Sequence, residues 1–172
     1  MIERSSGLSR DEPDPDLIDI RSPPVNIPDG HSYTADDLPP DAPVIGVSVG
    51  DKHRAYALAA FEDVSRHVVN DLLAGRPVSV TYCPRTGCTR VFTDQGMTRL
   101  RLAVGGWYEK LGVSQMVIRI GRERYQQETG RELAGRGTLP YPTLGHEVTT
   151  WGAWHKAHPD SDVYTGGGVV GY

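Results

Sequence analysis

Cys83 and Cys88 stand close together, with Pro84, Arg85, Thr86 and Gly87 between them, and no other cysteine occurs in the chain. A proline and a glycine inside so short a stretch dictate a tight turn. Three chemistries suit two thiols placed this way. The first is redox: the turn can bring the two Cα atoms to about 6 Å, within disulfide range. Closing so short a loop adds little chain entropy, so such a bond would be labile or switchable. The second is metal binding. The Cys83 and Cys88 thiolates and the His67 imidazole are good ligands for copper or zinc, and Met116 is a candidate weak axial ligand for copper. Against it, four intervening residues are not a zinc-knuckle spacing, and no second histidine pairs with His67 in sequence. The third is nucleophilic catalysis, with Cys83 attacking, His67 as base, Asp71 or Asn70 orienting it and loop amides near Gly87 as oxyanion donors. That reading requires Cys83 to alkylate readily at mildly acidic pH. A thiolate heme at Cys83-Pro84 would rest on a dipeptide, and the c-type heme attachment motif is absent. The plainer reading makes the cysteines small apolar core residues, Met116 a core side chain, Asn70 and Asp71 a turn, and His67 a partner for a backbone carbonyl.

The elements around the loop are mostly strands. Val44 to Val49 alternates apolar with small or polar residues, Gly50-Asp51-Lys52 reads as a turn, and His53 to Leu58 as the return strand. Ala59 to Arg66 is a short helical candidate. Asn70-Asp71 with Gly75 and Pro77 reads as a loop, and Val78 to Tyr82 as a strand with Val78, Val80 and Tyr82 on one face. Val91-Phe92 and Leu100 to Val104 suggest further strands, the latter broken at Gly105-Gly106. Gly105 to Tyr108 is either that break or a mobile loop over a site. In Ser114 to Ile120, Met116, Ile118 and Ile120 alternate. Gly130, Gly135 and Gly137 punctuate a loop. Thr149 to Lys156 reads as a helix with a threonine cap, Trp151 and Trp154 sharing one face, and His158-Pro159 ends it. The expected class is α+β, mostly antiparallel sheet with a few short helices. Gly166-Gly167-Gly168 lacks the strand-to-helix setting of a phosphate loop.

Residues 1–43 hold eight of the 13 prolines and carry ten acids against three bases over residues 1–42. They read as an extended acidic arm, pinned by Leu17, Ile18 and Ile20 or by Val25 and Ile27. The rest of the chain has 12 acids against 15 bases, scattered rather than striped, so no nucleic-acid surface is expected. No apolar run approaches the ~18 residues of a membrane helix. Met1 to Arg10 lacks the apolar stretch of a signal peptide, which points to the cytoplasm. The expected organisation is an arm over 1–43, a globular domain over 44–164 and a glycine-rich tail over 165–172. Arm and tail are the expected contact segments if the protein is a non-catalytic accessory subunit that orders on a protein partner.

Taken in order, several stretches carry a resemblance. They are Val44-Ile45-Gly46-Val47, Arg54-Ala55-Tyr56, Val69-Asn70-Asp71 and Pro77-Val78-Ser79-Val80-Thr81-Tyr82-Cys83-Pro84. Then follow Met116, Gln127 with Thr129-Gly130, and Thr150-Trp151 through Trp154 to His158-Pro159-Asp160. From about residue 44 to 164 the chain resembles the prokaryotic domain of unknown function family DUF3179. That family usually reads Cys-Pro-x-Cys-Gly, whereas Thr86 stands here at the second cysteine and Cys88 follows the glycine. His67 also lies one place closer to Asn70-Asp71 than the pattern implies. Cys83, Asn70 and Asp71 carry over by position; Cys88 and His67 are local replacements. Tyr82, Gln127 and Thr129 are further pocket candidates. The resemblance implies a location for a site and no activity. The expectation is a metal- or thiol-dependent domain centred on Cys83, with the accessory subunit and the cysteine hydrolase as alternatives.

Overall fold

A computed structural model of the chain describes residues 14–28, 38–166 and 169–170. Its strands are β1 (Leu17–Asp19), β2 (Val25–Asn26), β3 (Pro43–Val49), β4 (Lys52–Ala57), β5 (Val68–Leu73), β6 (Arg76–Tyr82) and β7 (Thr89–Thr93). Then follow β8 (Ala103–Lys110), β9 (Val113–Ile120), β10 (Glu123–Gln126), β11 (His146–Thr150), the helix α1 (Trp151–Ala157), β12 (Asp162–Tyr164) and β13 (Val169–Val170). They form three sheets ordered β1-β8-β9-β10, β11-β3-β4-β12 and β13-β2-β5-β6-β7. All pairings are antiparallel except β12 with β4 and β2 with β5. The class is α+β and dominated by antiparallel sheet.

The β5–β6 sheet is central because its residues alternate between two buried faces. Val69, Val78 and Val80 pack with Ile45, Val47, Tyr56, Phe61 and Tyr164 of the β3–β4 side in a first core. Val68, Cys83 and Phe92 pack with Val104, Trp107, Met116 and Ile118 of the β8–β9 sheet in a second. On the far side of β3 and β4, Val44, Ala55 and Val163 pack against Trp151 and Trp154 of α1. The order of layers is therefore helix, sheet, sheet, sheet, and the central sheet buries Asn70, Asp71, Ser79 and Thr81 as well as its valines.

Several expectations are corrected. Asn70-Asp71 is no loop but the middle of β5; the turn lies at Ala74-Gly75, whose φ values of +52° and +74° make the paired left-handed geometry of a tight hairpin. Gly105-Gly106 does not end its strand: β8 runs through with a bulge between Val104 and Gly106. Glycine is needed because a Cβ on Gly106 would lie 2.2 Å from the Ile18 carbonyl oxygen of β1. The segment read as helix from Ala59 resolves into two 3-10 turns, Leu58–Phe61 and Val64–Arg66.

The helix near Thr150 forms as expected. The Thr150 hydroxyl accepts from the Ala153 amide at 3.3 Å, and the Pro40 and Ala42 carbonyls take the Gly152 and Trp151 amides. Trp154 lies flat against Gly46, where a Cβ would come within 2.3 Å of its ring. Within the proline-rich segment, β1 and β2 are strands, with Val25 and Ile27 buried and Ile18 exposed. In the glycine-rich tail, β13 pairs with β2. No helix among the described residues is long and apolar enough to cross a membrane.

Candidate functional site

β6 and β7 pair so that Val78 faces Thr93 and Tyr82 faces Thr89. One step further, the same register sets Cys83 opposite Cys88. The Cys83 amide donates to the Cys88 carbonyl at 3.0 Å. The turn beyond is closed by the Gly87 amide on the Cys83 carbonyl at 2.8 Å, with Gly87 at φ +72°. Thr86, standing where the resemblance places a cysteine, accepts from the Cys88 amide at 3.2 Å through its hydroxyl. The loop is thus locked by its own backbone. Both thiols are free, Cys83 only 2% exposed and Cys88 half-buried. Burial pushes the Cys88 thiol up, the charge of Glu128 adds to that, and Arg90 opposes it.

Gln127 fastens this loop to the neighbouring sheet. Its side-chain amide donates to the Thr81 hydroxyl at 2.9 Å and to the Cys88 carbonyl at 3.1 Å, and its backbone amide donates to the Met116 carbonyl at 3.0 Å. Met116 is buried in the same core as Cys83. The Thr129 hydroxyl donates to the Gln126 side-chain oxygen at 2.7 Å.

His67 and Tyr82 lie on the other face. The Tyr82 amide donates to the His67 carbonyl at 2.9 Å, so the two residues are cross-strand neighbours. Tyr82 packs edge-on to Phe61 in the first core, and the His67 ring Nδ1 meets the Phe61 carbonyl at 2.5 Å. The period of two along a strand therefore separates His67 from Cys83, which points into the second core. Among the described residues, no group of three or more His, Cys, Asp or Glu side chains converges as metal ligands.

Burial lowers the His67 imidazole below its usual range, outweighing the Phe61 carbonyl and Asp63. The unfolded chain then takes up a proton near pH 6.5 that the folded chain takes up only at lower pH. This contribution to stability is complete above about pH 6.5 and is lost as pH falls through the folded value. Urea midpoints measured from pH 7.5 to 5 are expected to fall less steeply in His67→Gln than in the unsubstituted protein; identical slopes would contradict this.

Asn70 and Asp71 face opposite cores. Asn70 is fully buried; its amide nitrogen donates to the Leu102 carbonyl at 2.9 Å and the Val25 carbonyl at 3.2 Å. Its oxygen accepts from Ser79 at 2.7 Å and the Leu102 amide at 3.2 Å. Asp71 accepts from Arg54 and from the Tyr56 hydroxyl, both at 2.7 Å. Arg54 reaches on to Asp162 through two bonds of 2.9 Å. Burial works against the Arg54 charge, but Asp162 and Asp71 more than compensate and hold it above its usual value. Burial and the Asp71 charge push the Tyr56 phenol well up, so it stays a donor. Arg54 and Tyr56 were missed as site residues. Their spacing of two within a strand already set them on one face.

Arg85 and Trp107 were also missed as neighbours of the thiols. The Arg85 guanidinium lies 4.2 Å above the Trp107 ring centroid, and the indole N–H donates to Glu109 at 2.8 Å. Arg90 donates to the Glu128 backbone carbonyl. No long-range sequence signal joins Arg85 to Trp107; only the pairing of sheets does.

The chain belongs to the family described as a protein of unknown function, DUF3179, whose pattern matches residues 21–168. The match begins well before residue 44 and takes in β2. No curated protein and no solved structure matches the chain.

Proposed function

We propose that the protein is a thiol–disulfide redox domain in which Cys83 and Cys88 form a reversible bond. The observation that carries this is the register: the two cysteines are directly opposed across an antiparallel pair and joined by the 3.0 Å bond from the Cys83 amide to the Cys88 carbonyl. Hydrogen-bonded antiparallel pairs have Cα atoms about 5.5 Å apart. Disulfides span about 4.4–6.8 Å, a range that residues opposed in this way fall within. Oxidation removes one proton and one electron from each thiol and passes both electrons to an acceptor disulfide, which leaves as two thiols. Cys88, half-buried, meets the acceptor; Cys83, buried behind it, resolves the mixed disulfide.

A metal held by both thiols with His67 would need His67 to cross the sheet, and a Cys83–His67 nucleophile pair meets the same obstacle. The redox reading uses two residues already joined across the turn by the bond from the Cys83 amide to the Cys88 carbonyl. After equilibration with oxidised glutathione, the protein is expected to lose two alkylatable thiols and about 2 Da, one hydrogen per thiol. Cys83→Ser is expected to stop at a mixed disulfide on Cys88. Two thiols still alkylatable in the unsubstituted protein would overturn the reading.

A further inference from the structure

Arg85 lies inside the turn between the two cysteines, exposed, its guanidinium fixed over the Trp107 ring at 4.2 Å. Among the described residues it forms no ion pair. Arg90 follows Cys88 by two positions in β7 and so projects to the same side of that strand. Its bond is to a backbone carbonyl, that of Glu128, and among the described residues it forms no ion pair with a carboxylate. The opposing charge at Cys88 is the Glu128 carboxylate. Glu109 is held at the edge of the indole by its bond to the ring N–H. Among the described residues, two guanidiniums without a carboxylate ion pair thus lie at the cysteine loop: the Arg90 charge acts on the half-exposed Cys88 thiol, and Arg85, inside the loop, is held over the ring of Trp107. A guanidinium held this way presents its N–H groups in the fork that suits a carboxylate.

We infer that the exchange partner of Cys83 and Cys88 is a small disulfide bearing carboxylate groups, docked by Arg85 and Arg90. This inference rests on the redox reading above. The Cys88 thiolate attacks one sulfur of the small disulfide and expels the first carboxylated thiolate. The Cys83 thiolate then attacks the Cys88 sulfur and expels the second. The chain gains one S–S bond and loses two protons; the partner gains two electrons and leaves as two thiols. The reverse reaction reduces the chain.

The test compares three disulfides of similar size, dithiodipropionate with two carboxylates, hydroxyethyl disulfide with no charge, and cystamine with two ammonium groups. Each rate of intramolecular disulfide formation is divided by that reagent's rate with a small neutral thiol. At low salt the dianion is expected to be preferred over the neutral reagent by about tenfold and over the dication by more. The preference should shrink severalfold in Arg85→Gln, vanish in Arg85→Gln/Arg90→Gln, and fade in about 1 M salt. Arg85 is exposed in a loop, so the single variant keeps the fold. Equal normalised rates for the three reagents, or a preference unchanged in both variants, would overturn the docking inference while leaving the redox reading intact. Failure of every reagent to close the disulfide would overturn the redox reading itself and the inference with it.

Discussion

Asp71→Ala is expected to cost about 3–5 kcal/mol, the range for removing one partner of a buried ion pair. The cause is the position of Arg54. Its side chain is only 13% exposed, and its charge is shared between Asp71, 2% exposed, and Asp162, 25% exposed. Without Asp71 the guanidinium loses the more buried of these two anions, and the buried Tyr56 hydroxyl loses its acceptor. Asp162→Ala is expected to cost less, because water reaches that carboxylate and can replace it at the guanidinium. Against a total stability of about 5–15 kcal/mol, the Asp71 variant should shift a urea midpoint far more than the Asp162 variant. An Asp71→Ala loss below about 1 kcal/mol would show that the buried network does not hold the two sheets together.

Asn70→Ala carries the second large effect, about 3 kcal/mol or more, from several buried groups left without partners at once. The Leu102 amide and carbonyl, the Val25 carbonyl and the Ser79 hydroxyl all meet at this one side chain. Asn70→Asp is not a conservative change here. It keeps the acceptor for Ser79 but loses the donor to Val25 and Leu102, and adds a charge to a fully buried site. Both variants are therefore expected to unfold at much lower urea than the parent. A near-parental midpoint for Asn70→Asp would mean that the donor bonds to β2 and to the segment before β8 contribute little.

These two residues also show where the sequence is readable and where it is not. The Cys83 turn, the β3–β4 hairpin and the Thr150 cap follow from local signals: proline and glycine in the turn, alternation in the strands, a hydroxyl before the helix. Asn70 and Asp71 read as a loop because polar residues in a run of valines look like surface. Their partners lie as far off as Val25 and Leu102, at separations of 45 and 32 residues, and no local pattern encodes that. Gly105-Gly106 reads as a break for a similar reason: the glycine is there for the close approach of β1, a segment from the other end of the chain. β11 escaped notice because most of its side chains are exposed and it lacks alternation.

The candidate site was half legible. Cys83, Cys88, Met116 and Gln127 do gather at one end of the central sheet. His67, four positions before Asp71, sits on the opposite face because its cross-strand neighbour is Tyr82. A shift of one residue in register would have reversed that, and sequence spacing alone does not fix the register.

The two-electron exchange proposed for Cys83 and Cys88 as a pair is the property to measure. Its most direct test is an equilibrium titration of the intact chain across glutathione buffers of graded potential, with the fraction of disulfide read by mass. One transition with two-electron steepness is expected, a tenfold change in the oxidised-to-reduced ratio for every ~30 mV, absent in Cys88→Ser. A chain that stays reduced at every potential, or that accumulates only glutathione adducts, would contradict it.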